Sequence, residues 1–139
     1  MATYVKFNHF ALHIGSGEHD LQAAGDTLMV YLTNTAPSAE DDVLKADLAG
    51  ITEESGYAAA DIQNGYTEAA GVGTMTGVDV TWTAVGGAFG PFRYVVLYNS
   101  SATTLTNPLV AYWDYGSSIT VLEGESFKVD FGASVLTIT

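Results

Sequence analysis

His9 and His13 stand four residues apart in "KFNHFALHIG", a spacing that on a helix would bring two imidazoles onto one face at metal-ligand distance. In a zinc-protease motif a glutamate follows the first histidine; here Phe10 occupies that position, so no metal centre is expected. On a strand the same pair would simply share the solvent face. The carboxylate pairs Asp41-Asp42 and Glu53-Glu54 lack the D-x-D-x-D-G loop that arranges oxygens around calcium. Asp130-Phe131-Gly132 matches the magnesium tripeptide of kinases, but no glycine-rich phosphate loop or catalytic loop accompanies it. Serines fall in turns with no G-x-S-x-G elbow, and "GVGTMTG" misses the dinucleotide spacing. No residue is therefore assigned to catalysis, cofactor binding or metal binding, and no enzymatic activity is expected.

The chemistry that remains belongs to Arg93, one of only four basic residues, set in the apolar stretch "GPFRYVVLYN". Read as a plain alternation, Phe92, Tyr94, Val96 and Tyr98 share one face, with Arg93, Val95 and Leu97 on the other. That makes a central strand buried on both faces with one guanidinium near its start. A buried charge needs a carboxylate, carbonyls or an aromatic face to answer it. Asp114, in the equally aromatic "YWDYG", is the expected partner. The two readings are an internal Arg93–Asp114 pair fixing strand register, and an Arg93 offered to another subunit.

The elements that carry these residues are strands. "VDVTWTA" alternates Val78, Val80, Trp82 and Ala84 against polar neighbours, and "FKVDF" does the same with Phe127, Val129 and Phe131. "DTLMVYLTN", "LVAYWDY", "SITVL" and "SVLTIT" are further short strands bounded by Gly, Pro, Asn or Ser. Asn64-Gly65, Glu123-Gly124 and Gly132-Ala133 are expected hairpin turns, "GVGTMTG" a loop, and "AEDDVLKADLAGI" a helical turn or two. The expected fold is all-β: one antiparallel sandwich or jelly roll over residues 1–139. Residues 1–17 read as an N-terminal arm, helix or strand, whose Tyr4, Phe7 and Phe10 join Arg93 as candidate contacts to a neighbouring subunit.

Sixteen carboxylates against four basic residues give a net charge of -12, which argues against a nucleic-acid partner because phosphate binding needs clustered Lys and Arg. No apolar run approaches the ~20 residues that span a bilayer, so no membrane partner is expected. The first ten residues lack the basic-then-apolar pattern of a signal peptide. With no cysteine, disulfides and thiolate metal sites are excluded.

Taken in order, "KFNHF", "LMVYLTNTAP", "ADLAGIT" with "SGY", "DVTWTAVGGAFGPFRYVVLYN", "WDYGSSITVLEGESFKVDF" and the terminal "VLTIT" resemble a family of small tailed-phage virion proteins. Similar proteins often continue after the first block with an acidic helix, where this chain reads "ALHIGSG". The resemblance implies a β-sandwich decoration, or cement, protein that binds and stabilises an icosahedral shell. It implies synthesis in the bacterial cytoplasm, a place on the virion surface, and two partners: the major capsid protein and other copies of the chain. A tail, neck or head-fibre component is the alternative. A carbohydrate-binding module, with Trp82, Trp113 and the tyrosines as sugar platforms, is the second alternative.

Overall fold

The computed structural model describes residues 3–139, so the first two residues of the expected arm lie outside it. Among the described residues ten strands form two layers of antiparallel sheet, in agreement with the all-β sandwich expected from the sequence. One layer is a five-stranded sheet. Across it run β1 (Val5–Lys6), β8 (Leu109–Val121), β7 (Phe89–Asn99), β2 (Leu28–Thr33) and β3 (Ala60–Asp61). The facing layer is built from β10 (Leu136–Ile138), β5 (Val72–Thr76) and β4 (Gly65–Ala69), with β6 (Val80–Thr83) and β9 (Ser126–Val129) as a separate pair.

Alternation in these strands sorts side chains between two cores. Val30, Leu32, Val95, Leu97 and Trp113 point inward and pack with Met75, Val80, Trp82, Phe127, Val129 and Leu136 of the facing layer. Complete burial of one such side chain is worth roughly 1.5–3 kcal/mol. The other face of the large sheet carries Tyr31, Val96, Tyr98 and Leu109, which Phe7 and Leu48 cover. Leu48 follows a short 3-10 turn, Lys45–Asp47, where the sequence indicates a helical turn. Tyr31 donates to Leu48 O at 2.7 Å, tying that cover to β2.

The N-terminal segment is not a free arm. Val5 and Lys6 pair with Tyr112 and Ala111 on β8, and Phe7 N–H donates to Val110 O at 3.1 Å. Helix α1 (Asn8–Gly15) follows, burying Phe10 and His13 at helical spacing. It ends where Gly17, at φ +83°, takes the left-handed conformation open to glycine. Phe7 and Phe10 are thus buried within their own chain, which removes them as anchors for a neighbouring subunit. Tyr4 is half-buried against the main core.

Several turns join different partners from those expected. Glu123-Gly124 and Gly132-Ala133 are tight turns with positive φ at glycine, but β8, β9 and β10 lie in three different sheets, so these turns carry the chain between sheets. Asn64-Gly65 closes no hairpin either, because β3 pairs with β2 while β4 pairs with β5 through the turn at Ala70-Gly71. The buried Asn64 side chain instead acts as a clamp. Its Oδ1 accepts from Leu28 N–H at 3.1 Å, and its Nδ2 donates to Leu21 O at 2.9 Å and Asp26 O at 3.1 Å. "GVGTMTG", expected as a loop, supplies β5, with Gly73 leaving space for the ring of Tyr66 on β4. Val78 precedes β6 and is 53% exposed, whereas Val80, Trp82 and Ala84 are buried as expected.

Candidate functional site

Strands β7 and β8 form the spine of the large sheet, and their pairing is broken where the chemistry lies. Tyr94 faces Asp114 and Phe92 faces Ile119, so one residue of β7 is set against four of β8, residues 115–118. This bulge turns the local alternation. Phe92 joins Val95 and Leu97 in the inner core, while Arg93 leaves that face. The plain alternation that placed Arg93 beside Val95 and Leu97 fails because of this irregularity.

Arg93 meets Asp114 as expected. Its Nε donates to Asp114 Oδ1 at 2.8 Å and an Nη to Oδ2 at 3.0 Å, a two-pronged pair in which both groups match in geometry. Asp114 Oδ1 also accepts from Gly116 N–H at 2.8 Å, which holds the bulge. The guanidinium, then the Gly116 amide, keep the Asp114 carboxyl below the usual carboxylate range. The pair is not buried: the two side chains are 40% and 42% exposed, and the Arg93 guanidinium carbon lies 5.5 Å from the Tyr94 ring centre. One Arg93 therefore fixes register internally while keeping a face in water.

Beside the pair lies a cleft of about 290 Å³, with Val95, Trp113 and Phe127 as its apolar lining and Asp114, Lys128 and Asp130 as its charged groups. Tyr115, turned outward by the bulge, stands over Phe127 with ring centres 5.6 Å apart and is 55% exposed. Of the eight tyrosines it alone is exposed. The two tryptophans are core: Trp82 donates to Ala58 O at 2.7 Å and packs on Tyr57, and Trp113 packs on Phe131. At 5% and 4% exposure both rings are spent on the core, and Trp113 meets solvent only where it lines the cleft. Lys128 pairs with Asp79 at 3.3 Å, an ion pair that the sequence reading did not anticipate.

All three histidines meet beside α1. The rings of His9 and His13 are 6.0 Å apart, and His13 lies 6.0 Å from His19. Asn99 Oδ1 accepts from Ser101 N–H and its Nδ2 donates to Asp26 Oδ2 at 2.7 Å, which fixes the amide. His19 Nδ1, 3.0 Å from that Nδ2, is then an acceptor and carries its proton on Nε2. In this tautomer Nε2 would have to give up its proton to ligate a metal. Among the described residues no group of three or more His, Asp or Glu is arranged to hold one. His9 Nδ1, His13 Nδ1 and His19 Nε2 are buried without a protein partner, and burial pushes the His19 imidazole down to about 4. His19 lies in the loop that follows α1, and its meeting with the helix depends on the Gly17 turn.

Comparison with family models, with curated proteins and with solved structures gave no match.

Proposed function

We propose that the protein is a structural component of a tailed-phage virion, a decoration protein that binds the outer face of the assembled icosahedral shell. The observation that carries this reading is the ordered set of sequence blocks resembling small virion proteins, running from "KFNHF" to "VLTIT". Two of the longest, "DVTWTAVGGAFGPFRYVVLYN" and "WDYGSSITVLEGESFKVDF", supply β6, β7, most of β8 and β9, and therefore parts of both layers of the sandwich. A charge of -12 fits the task, since it keeps free copies apart and favours a basic receiving surface. Binding only the assembled shell would stabilise that state by mass action, with no chemistry required.

The test is co-sedimentation of the purified protein with purified shells and, separately, purified tails. Retention on shells at a fixed stoichiometry is the expected result. Retention on tails alone overturns the decoration reading in favour of a tail or neck component.

A further inference from the structure

Three loops are tied together at one end of the sandwich. Val85 N–H donates to Ser55 O at 3.0 Å, Gly124 N–H to Ala84 O at 2.8 Å, and Ala84 N–H to Glu125 O at 2.9 Å. Glu123 Oε1 accepts from Gly86 N–H at 3.3 Å, and Glu125 Oε1 from Leu122 N–H at 3.0 Å. Gly56 packs against the Thr83 carbonyl so closely that a Cβ would not fit. From these braced loops project two aliphatic side chains, Val85 at 66% and Leu122 at 57% exposed, the first and third most exposed large hydrophobics in the described chain. Glu53, Glu54, Glu123 and Glu125, all exposed, belong to the same three loops.

No basic residue lies in them. Arg93 and Lys128 hold Asp114 and Asp79, Lys45 lies over Tyr31 and Tyr98, and Lys6 is in β1. The charged side chains of these loops are thus all acidic, and two exposed aliphatic side chains stand among them in the same loops. A second copy of the same end would set glutamates against glutamates, and nucleic acid or an anionic lipid surface would be repelled in the same way. A protein face with an apolar recess and a lysine or arginine border turns both features to advantage. Because the loops are already fixed by hydrogen bonds, little ordering entropy opposes docking.

We propose that this loop end is the docking surface for a basic protein partner, with Val85 and Leu122 as apolar anchors and the glutamates setting orientation. The proposal rests on the decoration reading in naming the shell as the surface that receives it.

The experiment is co-sedimentation with purified shells and tails, alongside thermal melting, for the wild type, a Val85→Asp/Leu122→Asp double variant, Glu54→Lys, and Val78→Asp as a control at the opposite end of β6. The double variant should lose about tenfold or more in affinity at an unchanged melting temperature, as expected for anchor residues. Glu54→Lys should weaken binding and flatten its salt dependence, and Val78→Asp should bind as the wild type. Wild-type binding by the double variant overturns the proposal while leaving the decoration reading intact. Loss of tail binding by the double variant, with no shell binding by the wild type, keeps the docking surface and overturns decoration. No binding of the wild type to either overturns both.

Discussion

Arg93 reaches Asp114 from a position one residue out of step with the pleat of β7, because the bulge sets it against four residues of β8. The pair thus locks an irregular register without being sealed from water. Such a pair is screened by salt and far weaker than a buried one. Arg93→Met should lower the melting temperature modestly at low ionic strength, and the difference from wild type should shrink in high salt. Thermal melts at two salt concentrations check this; a large, salt-independent loss would show the pair to be effectively buried.

The packing of the N-terminal segment gives a second expectation. Phe7 and Phe10 are both essentially inaccessible, in different cores. Phe→Ala at either position should destabilise the free protein by about 3–5 kcal/mol, the usual loss for a buried phenylalanine. Urea denaturation measures it. Wild-type stability together with lost particle binding would return these residues to an intermolecular role.

Acid should loosen the molecule through His19. Its folded-state value of about 4 lies below the 6.5 of a free imidazole, so between those pH values the unfolded chain binds more protons than the folded one. Stability therefore falls as the pH drops from about 6.5 towards 4, and this contribution is spent below that. Glu18 and Asp26 oppose the effect and His13 reinforces it. At about 1.4 kcal/mol per unit the loss is capped near 3 kcal/mol, and it is smaller after screening of a ring that retains some solvent contact. Urea midpoints from pH 7 to 4.5 should fall for the wild type and be flatter for His19→Gln; parallel curves would refute the assignment.

Asn64 is the polar residue whose loss should be felt most widely, since it joins β2 to the 21–26 segment. Asn64→Ala leaves the Leu28 N–H without its acceptor, at a cost of about 1–3 kcal/mol for a buried group. Chemical denaturation at pH 7 tests it, with an unchanged midpoint as the contrary outcome.

These residues also show what a sequence discloses. The inward faces of β6 and β9 were legible because Val80, Trp82, Phe127 and Val129 keep strict period two. Arg93–Asp114 was legible because a lone guanidinium in an apolar strand demands a carboxylate, and the next aromatic strand holds one. The strand partners were not: a glycine at positive φ serves equally to fold a strand back and to pass it to another sheet, as at Gly124 and Gly132. The four-residue bulge was hidden as well, although Gly116-Ser117-Ser118 interrupts the apolar pattern at that place. The three histidines meet only through tertiary packing, and no spacing rule links His19 to α1.

The proposed decoration role is tested most directly by a cryo-EM map of tailed-phage particles incubated with this protein. The expected result is a β-sandwich of this shape repeated over the outer surface of the shell, with the Val85 and Leu122 loops turned towards the capsid lattice. Density confined to the tail, the neck or a single vertex would contradict it.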